Sequence, residues 1–111
     1  MNIESNIFKS LSESIRLRIV VLLFSGELCV CDLMSVLALP QSTTSRHMAK
    51  LKSAGLVTDR RSGKWVYYQL DEETKAALPE LFRFLEQCKI KAPYLEDFEN
   101  LKKYQSQKEC I

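Results

Sequence analysis

Apolar positions recur with helical spacing along most of the chain. In the stretch 12–27, Ile15, Ile19 and Leu22 follow the i, i+4, i+7 pattern of a helix that faces a core. An earlier helix is predicted over residues 3–11. Its apolar face is large for so short an element, which favours a partner subunit that covers it. The stretch 12–27 is therefore predicted to be the central helix of the core.

Capping and turn residues mark where these helices begin and end. Ser12 or Ser14 can cap the central helix, and Gly26 ends it. A short helix over residues 31–39 is ended by Pro40. A second helix then begins at position 41 or 42 and is followed by Gly55. Two short helices joined by a tight turn are typical of a helix-turn-helix.

The period of the pattern changes after residue 56. Val57–Arg60 and Trp65–Leu70 are rich in β-branched and aromatic residues, and the letters "RSGK" between them indicate a turn. This predicts a β-hairpin with a basic tip. Helical spacing returns over residues 71–90, with a kink or restart at Pro79, and over residues 93–104.

These elements predict a single domain, mostly α with a small β-hairpin, of the winged helix-turn-helix class. The helix-turn-helix spans residues 30–55 and the wing residues 57–70. A chain of 111 residues is long enough for one modest core. No apolar run approaches the roughly 20 residues of a membrane span, and the start of the chain does not resemble a secretory signal. The expected compartment is therefore the cytoplasm, with no membrane partner.

Positive charge is concentrated in one segment. The formal net charge is +2. Residues 41–64 contain six basic residues and one acidic residue, so this stretch carries +5 and the remainder −3. Such a concentration favours a surface that contacts phosphates, although a solvated charged face is the alternative for a basic run taken alone.

The helix predicted from residue 41 has two contrasting faces. Thr44, Met48 and Leu51 share one side, and the other side is polar and cationic. Hydroxyl, guanidinium and imidazole groups there suit base edges and phosphates in a major groove. The lone histidine has no neighbours with ligand spacing and is expected to face DNA or solvent. The candidate DNA-binding residues of this helix and of the wing are Gln41, Ser42, Thr43, Ser45, Arg46, His47, Lys50, Arg60, Arg61 and Lys64.

Two of the four cysteines stand two residues apart, in "ELCVCDL". In a reducing compartment, cysteines are expected to be ligands, sensors or core residues rather than structural disulfides. Residues two apart on a helix point about 200° from each other. Cys29 and Cys31 can therefore bind one atom only if the helix begins between them or its first turn unwinds. Thiolates without histidine favour metalloids and thiophilic metals.

The sequence resembles the ArsR/SmtB family of bacterial metal-sensing repressors, through "LSESIRLRIVVLL", "GELCVCDL", "LPQSTTSRHMAKLKSAGLV" and "DRRSGKWVYYQL". The resemblance covers about residues 8–70. It implies a homodimer, with residues 1–11 and 72–104 as dimerisation helices, that binds an inverted-repeat operator in double-stranded DNA. It also implies release when a metal or metalloid ion binds.

The resemblance further narrows the inducer. Zinc- and nickel-sensing members need histidines on the late helix, which this chain lacks. Cadmium- and lead-type members add cysteines from a longer N-terminal arm. Arsenic and antimony sensors add a third cysteine where this chain has Met34. Either Cys29 and Cys31 suffice, or Cys88 or Cys110 supplies the third sulfur.

The sequence thus predicts a repressor, not an enzyme, that is released from DNA by As(III) or Sb(III) at Cys29 and Cys31 and needs no organic cofactor. The first alternative is a thiol-redox or persulfide sensor on the same fold, in which Cys31 pairs with Cys88 or another cysteine. A dithiol oxidoreductase is disfavoured because there is no candidate general base. A repressor without an inducer, with the cysteines in its core, is the remaining alternative.

Overall fold

Seven α-helices and three strands make up residues 2–107, the part of the chain that this computed structural model describes. Short 3₁₀ turns follow the second and sixth helices at Leu23–Ser25 and Cys88–Ile90. The elements in order are α1 Ile3–Leu11, α2 Ser14–Leu22, β1 Leu28–Cys29, α3 Val30–Leu37, α4 Gln41–Ser53, β2 Val57–Ser62, β3 Trp65–Leu70, α5 Glu72–Ala77, α6 Pro79–Gln87 and α7 Tyr94–Gln107.

Helix α2 is central to the core, as its apolar pattern predicts. Ile19, Val20 and Leu22 have no exposed surface. The same hydrophobic cluster takes in Met48 from α4 and Phe82 from α6. Because α2 packs against both the helix-turn-helix and the later helices, it fixes the position of α4 relative to the rest of the domain.

The cap of α2 is not the predicted serine. Glu13 is the N-cap, and its carboxylate accepts the backbone N–H groups of Ile15 and Arg16. A glutamate is an uncommon N-cap, so the residue preference favoured Ser12 or Ser14 and was wrong here. At the other end, the 3₁₀ turn runs to Ser25 and Gly26 stops the chain from continuing as a helix, with φ of +117°.

Helices α3 and α4 form the predicted helix-turn-helix. Helix α3 ends earlier than predicted, because Ala38 takes a left-handed conformation with φ of 55° and its N–H bonds to the Met34 carbonyl. Pro40 then serves as the N-cap of α4. After α4, Gly55 has φ of +81°, a backbone conformation that favours glycine.

The three strands form an antiparallel sheet in the order β1-β3-β2. Strand β1 was not predicted; it pairs Leu28 with Tyr68 and Cys29 with Tyr67. Strand β2 runs two residues further than the predicted end at position 60, so the turn between the paired strands has only two residues. A strand as short as β1 carries too little pattern to be read from sequence, because its pairing with β3 is non-local.

The late helices pack back onto α2 and α3. Pro79 begins α6, so the chain restarts there, as its position predicts. The guanidinium of Arg18 on α2 donates twice to the carboxylate of Asp97 on α7, at 2.7 and 2.9 Å. The pKa of Arg18 is raised by these bonds to a carboxylate that is almost completely buried. This bidentate pair joins two helices 79 residues apart in sequence.

Large apolar side chains remain exposed on α1 and around α6 and α7. These exposed apolar side chains are Ile3, Phe8, Phe84, Ile90 and Leu95. None of the helices within residues 2–107 is both long and apolar enough to cross a membrane.

Candidate DNA-reading surface and thiol site

Helix α4 has the two faces that its sequence predicts. Thr44, Met48 and Leu51 are fully buried against the core. The Thr44 hydroxyl donates to the Pro40 carbonyl at 3.1 Å, which satisfies it locally. On the outer arc, Thr43 is half-buried and the remaining candidates are exposed: Gln41, Ser42, Ser45, Arg46 and Lys50.

His47 is an exception, and its predicted position facing DNA or solvent is wrong. Its side chain is buried, with 8% of the residue exposed, and Nδ1 lies 3.2 Å from an Nη of Arg16. Burial lowers the pKa of His47, the Glu13 charge opposes this, and the charges of Arg16, Arg46 and Lys50 add to the lowering. His47 is therefore neutral at pH 7 and joins α4 to α2.

The carboxylate of Glu13 completes this group at the start of α2. Burial acts to raise the pKa of Glu13. The backbone N–H groups of Arg16 and Ile15, together with the charges of His47 and Arg16, nevertheless hold that pKa below its usual value. Glu13, Arg16 and His47 thus connect the start of α2 to the middle of α4. Sequence reasoning missed this group because its members come from two distant helices.

The three candidate residues of the wing differ in their surroundings. Arg61 and Lys64 are exposed, and the Lys64 ammonium lies over the Trp65 ring. Arg60 instead donates twice to the carboxylate of Glu27, at 2.7 and 2.8 Å, and stacks on the Tyr67 ring. Arg60 is therefore occupied by a partner within the chain, whereas the other two cations are open to a phosphate.

Cys29 and Cys31 stand on either side of the start of α3. Cys29 is the N-cap with an extended backbone, and the helix begins at Val30. This satisfies the first of the two predicted conditions for both sulfurs to reach one atom. The Cα atoms lie 5.3 Å apart and the side chains are joined as a disulfide, contrary to the expectation of unpaired thiols. The joint between strand and helix aims both sulfurs to one side.

A reciprocal capping box holds this joint. The sulfur of Cys29 accepts the N–H of Cys31 at 3.2 Å, and the carboxylate of Asp32 accepts the N–H of Cys29 at 2.9 Å. Cys29 and Asp32 are both buried. The sequence signature of such a box uses serine or threonine at the cap, so a cysteine cap was not recognised.

The two cysteines open into a cleft of about 560 Å³ that the recognition helix and the wing also line. Gln41 and Ser45 contribute from α4, and Arg61 and Lys64 from the hairpin. Four of the ten candidate DNA-reading residues, together with the acidic Asp59, therefore line the same cleft as the candidate thiol site. The apolar and aromatic part of its lining is Val30, Met34, Trp65, Val66 and Tyr68.

Of the two candidate third sulfurs, only that of Cys88 falls within the described residues 2–107. Cys88 lies buried in the 3₁₀ turn after α6, where its Sγ donates to the Phe84 carbonyl at 3.5 Å. It does not line the cleft. Cys110 lies outside the described residues. Among those that are described, no group of three or more His, Cys, Asp or Glu side chains could hold a metal ion.

A helix-turn-helix followed by a basic antiparallel hairpin defines the winged-helix class of transcription regulators. A family model described as "Bacterial regulatory protein, arsR family" matches residues 13–59. The chain is 47% identical over 79 residues to the arsenic resistance transcriptional regulator ArsR2 of Pseudomonas putida, covering 70% of this chain and 69% of that one. The chain belongs to the ArsR family.

Other relatives and solved structures are similar to the chain over comparable lengths. The arsenical resistance operon repressor of Escherichia coli is 49% identical over 71 residues, with 63% of this chain and 61% of that one covered. Among solved structures, reduced HlyU from Vibrio cholerae has a TM-score of 0.63 and 36% identity, over 74% of this chain and 87% of that one. A homodimeric winged helix-turn-helix DNA-binding domain from Mycobacterium bovis has a TM-score of 0.66 and 30% identity, over 80% of this chain and 82% of that one.

Proposed function

We propose that this protein is a transcriptional repressor that binds an inverted-repeat operator as a homodimer in the cytoplasm and is released by As(III) or Sb(III) at Cys29 and Cys31. The observation that supports this most strongly is the convergence of both sulfurs in a cleft lined by α4 and the wing. Relatives named as arsenical resistance repressors favour the same ligand class.

The donor set suits trivalent arsenic. Soft thiolates bind As(III) and Sb(III) in preference to hard cations. When two thiols replace two hydroxyl groups of As(OH)₃, two water molecules leave and no electrons move. The third position keeps its hydroxyl or takes a further sulfur. Cys110 is the better candidate for that sulfur, because Cys88 is buried apart from the cleft.

Coordination at Cys29 would act directly on the start of α3. The same sulfur that would bind arsenic accepts the N–H of Cys31 in the capping box. Cys29 is also paired with Tyr67 of the wing. Ligand binding would distort this first turn and misalign the two DNA-reading heads. A hundredfold loss of operator affinity requires a coupling free energy of only about 2.7 kcal/mol.

Fluorescence anisotropy with labelled DNA from upstream of the protein's own gene tests this function. The reduced wild-type protein is expected to release the DNA at near-stoichiometric arsenite. Cys29→Ser and Cys31→Ser should remain bound, and Cys88→Ser is the matched control that should still respond. Tight binding that ignores both arsenite and antimonite would contradict the metalloid assignment.

The redox alternative is favoured by one observation, the joining of Cys29 and Cys31 as a disulfide. In that function hydrogen peroxide would take two electrons and two protons from the dithiol, leaving a disulfide and two water molecules. The pair would be Cys29 with Cys31, because Cys88 is a free buried thiol. Release by peroxide without arsenite, reversed by a dithiol reductant, would establish this function in place of metalloid sensing.

A further inference from the structure

A second cavity, of about 300 Å³, lies between α1, α2 and the C-terminal half of α4. It is separate from the cysteine cleft, and the two share no lining residue. Its walls combine cationic side chains with hydroxyl and amide groups. The polar lining residues are Asn6, Lys9, Ser10, Arg16, Lys50 and Ser53.

The charge of this cavity is positive on all three helices. Lys9 comes from α1, Arg16 from α2 and Lys50 from α4, and the described lining contains no acidic residue. Within residues 2–107, neither Lys9 nor Lys50 has an ion-pair partner. The nearby carboxylate of Glu13 is not part of this lining and offsets one of the three positive charges, which leaves a favourable environment for an anion.

Arg16 is held rigidly in this wall. Its Nε donates to the Ser10 carbonyl at 2.9 Å, and one Nη lies 3.2 Å from Nδ1 of His47. Because an arginine N–H can only donate, Nδ1 of His47 is the acceptor in this contact. Arginine carries five N–H donors, so the planar group retains further donors for an oxyanion.

The hydroxyl of Ser10 gives an independent indication of a ligand. Ser10 is 6% exposed, and its Oγ is the one buried side-chain oxygen or nitrogen among the described residues that has no hydrogen-bond partner. A buried hydroxyl left without a partner destabilises the folded state, so such a group calls for an explanation. Because Ser10 also lines the cavity, an anion bound between Lys9 and Arg16 would offer this hydroxyl a partner.

We propose that this cavity binds a tetrahedral oxyanion and that the anion is a phosphodiester of the DNA bound by α4. Lys50 belongs to the same exposed arc of α4 as Ser42 and Arg46, because Arg46 lies about 40° and Lys50 about 80° around the helix from Ser42. The DNA-contacting surface then extends from α4 onto α1 and α2. The inference rests on the proposed function, because it requires DNA bound by α4, and it adds a DNA contact to α1, for which the family resemblance implies only dimerisation.

The salt dependence of DNA binding by Lys9→Gln is the decisive measurement. Removing one phosphate contact per subunit is expected to lower the slope of log affinity against log salt by about 0.9 per subunit. The loss should be equal on operator and random duplexes, because phosphate contacts carry no sequence information. Lys102→Gln, which changes an exposed lysine of α7, is the charge-matched control. Gel filtration of both variants checks that the oligomeric state is unchanged.

Inorganic phosphate distinguishes a free oxyanion from DNA. The melting temperatures of the wild type and of Lys9→Gln are compared in phosphate and in chloride at equal ionic strength. One outcome is that Lys9→Gln leaves the salt slope unchanged, while phosphate raises the melting temperature of the wild type but not that of Lys9→Gln. In that case the cavity binds a free oxyanion and the DNA assignment is overturned. An unchanged slope together with no difference between phosphate and chloride overturns the whole proposal. Wild-type operator binding is measured in the same titrations, so failure of this inference is separable from failure of the proposed function.

Discussion

The two parts of the proposed DNA-reading surface, helix α4 and the wing, are anchored differently. Helix α4 is held by fully buried side chains such as Met48 and Leu51 and by the internal contact between His47 and Arg16. The wing is buried only at its base, through Val57, Tyr68 and Leu70. One of its arginines reaches across the sheet to form an exposed ion pair with Glu27. The wing also shares strand pairing with the first cysteine of the thiol site.

This difference indicates which part a ligand can move. Buried packing around α4 costs several kcal/mol to disturb, whereas exposed ion pairs contribute little. A ligand bound at the proposed site would contact Cys29, which lies on the strand that pairs with the wing. Within each subunit, we therefore expect α4 to keep its place in the core, whereas the wing and the first turn of α3 are the parts that a ligand moves.

The largest expected effect comes from the anchor of α4. Met48→Ala removes a fully buried side chain, and it should lower the free energy of unfolding by about 2–5 kcal/mol. Urea denaturation at fixed protein concentration measures this. Ser45→Ala, on the exposed side of the same helix, should change stability by less than about 0.5 kcal/mol. Equal losses in the two variants would mean that α4 is not anchored through Met48.

A smaller effect is expected at the tip of the wing. Gly63 has φ of +62°, and a Cβ added at this position would have no other atom within 4 Å, so Gly63→Ala meets only backbone strain. The expected loss of stability is about 1 kcal/mol. Gly63→Asn is the control, since asparagine tolerates the left-handed region better and should lose less. A neutral Gly63→Ala would show that the turn relaxes freely.

The contact between α4 and α2 should depend on pH. The pKa of His47 is lowered in the folded protein, so below its unfolded value of about 6.5 the unfolded chain takes up a proton that the folded chain resists. Stability should fall as pH decreases from about 6.5 through the lowered folded pKa. Denaturation midpoints at neutral and at acidic pH, for wild type and His47→Gln, measure this. The stability of His47→Gln should fall less than that of the wild type between neutral and acidic pH. An equal fall in both proteins would mean that other groups cause the pH dependence.

The smallest expected change in stability is at the edge of the wing. Glu27→Gln removes the partner of Arg60 without changing side-chain size, and the denaturation midpoint should stay that of the wild type. DNA affinity at low salt should rise severalfold, because a negative charge leaves the basic hairpin and a guanidinium is released. Glu99→Gln, exposed on α7, should leave affinity unchanged. Weaker binding by Glu27→Gln would show that the pair positions Arg60 for DNA.

Local patterns were enough to predict the main elements of the fold. The buried arc of α4 followed from the spacing of Thr44, Met48 and Leu51, because helical period alone decides which side chains share a face. Pro79 marked the restart between α5 and α6 for a similarly local reason: proline has no N–H to donate.

The features that sequence reasoning missed depend on partners far along the chain. His47 lies at the border between the buried and the exposed arc of α4. It is buried in contact with Arg16, which is 31 residues earlier in the chain. Strand β1 exists because β3 pairs with it. The spacing of Cys29 and Cys31 allowed both to bind one atom if the helix begins between them or if its first turn unwinds. It could not decide between these conditions, and in the structure the helix begins between them.

Because a single residue separates the two cysteines, ligand binding at this site would depend little on whether the chain is folded. Two thiols so close in sequence form nearly the same chelate ring in an unfolded chain as in a folded one. The proposed ligand, arsenite, would therefore also bind the unfolded chain. Saturating ligand would then raise the melting temperature only slightly, because a ligand stabilises the folded state only by its preference for that state. Thermal-shift screening would then overlook the inducer of such a protein, while DNA release would report it.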